Sequence, residues 1–121
     1  MEKKKILFVD DSRDLVELVE SYLEAYGYDV ATAYTGREAL EKAKAGHIDL
    51  ILLDIMLPDI NGYDVLKSLK SNPATNHIGV IMLTGKSETR SLFKAQELGA
   101  TDYVIKPFDF GELLSLVQKH I

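Results

Sequence analysis

The sequence predicts an α/β domain in which five parallel strands alternate with five helices packed on both faces of the sheet. Three observations carry this. Five short apolar runs alternate with five amphipathic stretches, and such alternation implies a parallel sheet with right-handed crossovers. The run Leu50-Ile51-Leu52-Leu53 is apolar at every position, which suits a strand buried on both faces at the centre of a sheet. Glycines and capping residues fall at the joints between runs.

Taken in order, residues 5–10 read as a short buried strand. Residues 12–26 read as a helix with Leu15, Val19, Tyr22 and Tyr26 on one face, flanked by Leu18 and Leu23. Gly27 supplies a left-handed helix end. Val30 to Ala33 is a less apolar strand, so it belongs nearer an edge. Thr35-Gly36-Arg37-Glu38 has capping-box spacing and starts a helix that closes at Gly46, with Ala39, Leu40 and Ala43 inward. The central strand spans 48–54. Residues 63–71 form a helix with Val65, Leu66 and Leu69 inward, broken by Asn72-Pro73. Strand four covers 78–84, and a helix from about Ser87 to Leu98 closes at Gly99. Strand five covers 101–105, before Lys106-Pro107. Asp109-Phe110-Gly111-Glu112 repeats the capping-box spacing and opens the last helix, which carries Phe110, Leu113, Leu114, Val117 and Ile121. No repeat, low-complexity tract or linker interrupts the 121 residues, and the expectation is one domain over 1–121.

Composition narrows the function classes. There is no cysteine, so disulfide frameworks and cysteine-based metal or redox sites are excluded. Lys3, Lys4 and Lys5 precede only four apolar residues, too few for a signal-peptide core. No apolar run approaches membrane-spanning length, and a cytoplasmic location is expected. Net charge is −5, which disfavours nucleic-acid binding by this domain and favours a cationic partner, either a metal ion or a basic protein surface.

In a parallel sheet all strand C-termini share one edge, where open α/β folds bind ligands. The residues delivered there are Asp10 and Asp11, Asp54, Thr84 and Lys106. Singly, each has a plain explanation: Asp11 or Ser12 as a helix cap, Asp54 as a turn former before Pro58, Thr84 as a cap for the next helix, Lys106 as a solvated lysine. Jointly, five strand ends carrying this chemistry point to a shared site. Three carboxylates brought together repel one another and raise at least one pKa. A hard divalent cation relieves this, and Mg²⁺ held by few carboxylates is the expected form. A carboxylate can then act as a nucleophile toward phosphorus, with Lys106 and Thr84 placed to meet phosphoryl oxygens.

The chain resembles the receiver domain of two-component response regulators, of the chemotaxis-regulator-like kind, over nearly its full length. The resemblance rests on Val9-Asp10-Asp11-Ser12, Asp54-Ile55-Met56-Leu57-Pro58 with Gly62, Leu83-Thr84-Gly85, Gly99-Ala100-Thr101-Asp102-Tyr103 and Lys106-Pro107-Phe108. Gly79 departs from the family, where many members carry proline. The resemblance implies a flavodoxin-like strand order 2-1-3-4-5 and a cis Lys106-Pro107 bond. It implies that Asp54 is the phosphoacceptor and that Asp10, Asp11, Asp54 and the Met56 backbone carbonyl surround Mg²⁺, Asp10 largely through water. Thr84 and Tyr103 match the family's switch pair, and Lys106 its phosphate-contacting lysine. The implied donor is a sensor histidine kinase or histidine phosphotransfer protein. Weak Mg²⁺-dependent self-phosphorylation from small donors and autodephosphorylation are implied in place of a classical enzyme activity. The output face would be residues 87–120, used by a monomer or a phosphorylation-dependent dimer.

Two further surface expectations concern Phe93, nearly opposite the Leu92, Ala95 and Leu98 stripe of its helix, as a partner or dimer contact, and Val16 with Ser12 and Phe108 as a place for a kinase or phosphotransfer helix. Other readings fare worse. Asp10-Asp11-Ser12-Arg13 stands where a nucleotide-binding fold needs a glycine-rich turn. An Asp-x-Asp phosphatase loop is absent, and His47, His77 and His120 fall away from the active edge. The alternative of another class is a phosphorylation-independent interaction module with the same fold. Tyr103 alone could also be a core tyrosine at the end of an edge strand.

Overall fold

The structure, a computed structural model, describes residues 3–85 and 92–121, with Leu92 and Phe93 described by their backbone alone. The elements are β1 (Lys5–Val9), α1 (Arg13–Ala25), β2 (Asp29–Ala33), α2 (Gly36–Lys44), β3 (Leu50–Asp54), α3 (Gly62–Ser71), β4 (Gly79–Gly85), α4 (Leu92–Glu97), β5 (Asp102–Lys106) and α5 (Phe110–His120). All strand pairs are parallel, in the order β2-β1-β3-β4-β5. The strand order implied by the resemblance is therefore the observed one. Strand and helix ends differ from the sequence expectations by a residue or two, the usual spread at frayed ends. The expected start of the fourth helix near Ser87 lies outside the described residues.

The strand pleat sorts the apolar residues into two layers. Leu7, Val9, Ile51, Leu53, Val80 and Met82 face α2, α3 and α4, where Ala39, Ala43, Tyr63, Leu66, Leu69 and Ala95 cover them. Ile6, Phe8, Leu50, Leu52, Ile81 and Leu83 face the other way, against Val16, Val19 and Leu23 of α1 and Leu113, Leu114 and Val117 of α5. β3 is buried at all five positions, as a central strand that feeds both layers must be.

Helix α1 is rotated relative to the expected stripe. Val16, Val19 and Leu23 are its buried residues, whereas Leu18 and Tyr26 are 60% and 54% exposed. The apolar arc of this helix is wider than the surface available to cover it. Tyrosines suit the rim, where the ring packs and the hydroxyl stays wet. Tyr22 packs edge-on against Phe110 of α5, ring centroids 5.3 Å apart, and leans on Tyr26 at 5.1 Å.

The capping signals hold with two changes. Thr35 accepts from the Glu38 N–H at 3.1 Å, but the Glu38 carboxylate reaches back to the Tyr34 N–H instead of that of Thr35. Asp109 accepts from the Gly111 N–H at 2.7 Å, one residue earlier than a capping box requires. At the other end of α5, the His120 ring meets the Asp102 carboxylate at 2.9 Å and ties the helix to the start of β5.

Candidate functional site

The site is built where β1, β3, β4 and β5 end. Asp10 follows β1; it is 1% exposed and accepts from the Ser12 N–H at 3.0 Å. Asp11, next in the chain, is exposed. Asp54, the last residue of β3, is 5% exposed and accepts a long bond from the Met56 N–H at 3.3 Å. One carboxylate oxygen from each of Asp10, Asp11 and Asp54 lies within 4.8 Å of the others. Lys106, at the end of β5, places its ammonium 2.5 Å from Asp10 and 3.2 Å from Asp54.

The electrostatics follow from this crowding. Burial first, then the Asp10 charge, pushes the Asp54 carboxyl up to about 6, while Lys106 and the Met56 N–H pull against them. Burial works to lower the Lys106 ammonium, but Asp10 and Asp54 outweigh it and raise it. Among the described residues one cation thus faces three carboxylates, which leaves an excess of negative charge. The donor set fits a hard divalent ion. Opposite ligands of octahedral Mg²⁺ stand about 4.2 Å apart, so a small contraction, or one water-bridged carboxylate, brings these oxygens into range.

One glycine and the loop before it hold this arrangement. A Cβ on Gly62 would lie 2.4 Å from the Asp54 carbonyl oxygen and 2.6 Å from Ile55 Cα, so only glycine lets α3 start against the end of β3. Its N–H closes the loop by donating to Ile55 O at 2.8 Å. The Asn61 side chain caps the helix through the Tyr63 N–H.

Thr84 is fully buried and one residue beyond Leu83, the β4 partner of Asp54 in register. Its hydroxyl donates to the Gly85 carbonyl at 3.2 Å. Tyr103 is 45% exposed, so it is not a core tyrosine, and its ring stands outside the layer in this conformation. The Lys106-Pro107 bond is cis. A groove of about 330 Å³ beside the site is lined by Leu15, Lys106, Pro107 and Phe108.

The structure thus gathers Asp10, Asp11, Asp54 and Lys106, with Thr84 on the neighbouring strand end. It corrects one expectation: Val16 is only 1% exposed and cannot meet a partner helix. Leu15, one residue earlier, takes that place beside Phe108, because the rotation of α1 turns Val16 into the core. The Phe93 side chain lies outside the described residues. Sequence reasoning did not anticipate the direct Lys106–Asp10 pair, since positions 96 apart carry no local signal of contact.

The family model for the response regulator receiver domain matches residues 6–118. The chain is a response regulator receiver domain. Among curated relatives, the response regulator ArlR of Staphylococcus saprophyticus is 42% identical over 114 residues, covering 94% of this chain and 50% of that protein. A probable cyclic di-GMP phosphodiesterase of Vibrio cholerae is 45% identical over 116 residues, covering 96% of this chain and 26% of that protein. The receiver therefore spans half or less of these two relatives. Among solved structures, the chemotaxis protein CheY4 of Vibrio cholerae superposes with a TM-score of 0.92 at 32% identity, covering 99% of this receiver and 100% of that chain. No helix among the described residues is long and apolar enough to cross a membrane.

Proposed function

We propose that residues 1–121 act as one receiver unit in which Asp54 accepts a phosphoryl group and Lys106, Thr84 and Tyr103 convert that event into a change of surface. The observation that carries this is the position of Asp54: end of the central strand, buried, beside Asp10 and Asp11 and 3.2 Å from the Lys106 ammonium.

An Asp54 oxygen attacks phosphorus in line with the donor's leaving group, which departs with the electrons of its bond to phosphorus. The product is an acyl phosphate on Asp54. Asp10, Asp11, Asp54 and the Met56 backbone carbonyl would hold Mg²⁺, which supplies positive charge to the phosphoryl oxygens when bound. Lys106 leaves its pairing with Asp10 and Asp54 to follow the new negative charge. The Thr84 hydroxyl exchanges the Gly85 carbonyl for a phosphoryl oxygen, and the Tyr103 ring turns inward behind it.

Magnitudes limit what Thr84 does alone. Inverting a two-state balance from 1:99 to 99:1 takes about 5.5 kcal/mol, whereas one hydrogen bond to a charged group supplies about 1.5–3 kcal/mol. Lys106 must contribute, or a bound partner must complete the shift. The donor is a sensor histidine kinase or histidine phosphotransfer protein in the cytoplasm. Its helix fits the groove at Leu15, Pro107 and Phe108, and the output partner reads residues 87–120. The net charge of −5 supports protein partners over nucleic acid for this domain.

Intact-mass spectrometry after incubation with acetyl phosphate and Mg²⁺ tests the reading. One phosphoryl adduct is expected on the parent, none with EDTA and none on Asp54→Asn. An adduct that persists in Asp54→Asn overturns the assignment of the acceptor. No adduct on the parent from either acetyl phosphate or a phosphorylated histidine donor returns the chain to a phosphorylation-independent interaction module.

A further inference from the structure

The loop between β3 and α3 bears Met56, whose carbonyl the proposed site uses, yet Met56 itself is 65% exposed. The Gly62 N–H on Ile55 O and the Met56 N–H on Asp54 hold the ends of the loop, and Asp59 ties its middle to a second element. Its two carboxylate oxygens accept separately from the first turn of α2, from the Gly36 N–H at 2.8 Å and the Arg37 N–H at 3.0 Å.

Three further observations make this a built contact. A Cβ on Gly36 would lie 2.8 Å from Val65 Cγ2 and 3.0 Å from Ile60 Cβ, so the helix start is shaped to let the loop close upon it. The remaining N–H of that turn, on Glu38, is taken by Thr35, which leaves the first two N–H groups for Asp59. A carboxylate at a helix N-terminus is also favoured by the helix dipole. Burial works to raise the Asp59 carboxyl, but the Arg37 and Gly36 N–H groups outweigh it and hold it below the usual carboxylate range.

We infer that Asp59 is a positioning residue for the metal-binding half of the site, clamping the Met56 loop to the N-terminus of α2 so that the Met56 carbonyl is held ready for the cation. The inference rests on the reading of Asp10, Asp11, Asp54 and Met56 as the Mg²⁺ site. It assigns α2, which delivers no residue to the site, a part in building it.

The test titrates Mg²⁺ into the parent, Asp59→Ala, Asp59→Asn and Asp29→Asn, following backbone amide resonances. Adduct formation from acetyl phosphate is then measured at low and at saturating Mg²⁺. Groups that hold metal ligands cost about 10–100-fold in affinity when removed. Asp59→Ala should therefore weaken Mg²⁺ binding by about tenfold, the low end of that range. It should slow adduct formation at low Mg²⁺ and recover at saturation, while the Gly36 and Arg37 amides lose protection from exchange. Asp59→Asn, which keeps an acceptor but not the charge, should lie nearer the parent. Asp29→Asn, at the start of β2 on the opposite edge, should match the parent and so exclude a general charge effect. Unchanged Mg²⁺ affinity in Asp59→Ala, or equal losses in Asp59→Ala and Asp29→Asn, overturns the clamp while leaving the Mg²⁺ site standing. A parent that binds no Mg²⁺ overturns both.

Discussion

Asp54 is a buried carboxylate kept close to another, and its pKa near 6 makes the metal-free protein sensitive to pH. Between about 3.8 and about 6 the folded state holds a proton that the unfolded chain has already released. Stability from this group is full below about 3.8 and is lost as pH rises through about 6, a span of order 3 kcal/mol. Asp59 and Asp102 shift the other way. Burial works to raise Asp102, but the His120 contact and the Tyr103 N–H outweigh it. Those two contributions are lost only as pH falls below the ordinary carboxylate value. Urea unfolding in EDTA should therefore give a lower midpoint at pH 7 than at pH 4.5. Mg²⁺ at about a hundred times its Kd should add about 2.7 kcal/mol at pH 7 by linkage. A flat profile between those two pH values would mean that Asp54 does not carry its charge uncompensated. A second residue, Tyr63, is 6% exposed with a buried hydroxyl that has no partner among the described residues. Tyr63→Phe deletes that unpaired group and keeps the ring under the Lys94 ammonium, 5.3 Å from its centroid. It should leave stability unchanged or raise it by about 1 kcal/mol in urea unfolding.

At the scale of elements, the contact between the start of α3 and the end of β3 is the least tolerant. Gly62→Ala forces a methyl group against the Asp54 carbonyl oxygen and Ile55 Cα, backbone atoms with no rotamer to escape into. It should cost about 1–3 kcal/mol in unfolding free energy and reduce adduct formation at Asp54. On α1, Leu23→Ala should cost about 2–5 kcal/mol, whereas Leu18→Ala on the same helix should stay within about 0.5 kcal/mol. The contrast follows from the rotation of that helix. Element order was legible in the sequence because Gly27, Thr35, Gly46, Asn72-Pro73 and Asp109 punctuate it chemically. So was the strand edge that gathers Asp10, Asp54, Thr84 and Lys106, because parallel strands must end together. The phase of α1 was not, since Leu15, Val16, Leu18, Val19, Tyr22, Leu23 and Tyr26 make too wide an arc for periodicity to choose its centre. The reach of Asp59 to α2 was equally hidden, because an Asp in a Pro58-Asp59-Ile60-Asn61-Gly62 turn already has an ordinary explanation there.

At the scale of the molecule, the sheet separates two hydrophobic layers that, among the described residues, share no buried side chain. β3 contributes Ile51 and Leu53 to one and Leu50 and Leu52 to the other. Perturbations on opposite sides meet only through a backbone that both sides hold fixed. Energies of substitutions with no shared partners add to within about 0.3–0.5 kcal/mol. Leu66→Ala under α3 and Leu113→Ala under α5 should therefore give a double-mutant coupling no larger than that in urea unfolding, and a clearly larger value would show the sheet to be a poor insulator. Such independence bears on descent as well as on stability. The layer beneath α4 and the layer beneath α1 and α5 can accumulate changes on separate schedules. A lineage can thus remodel the surface over α2 and α3 for a new partner while the surface over α1, resting on the other layer, stays undisturbed.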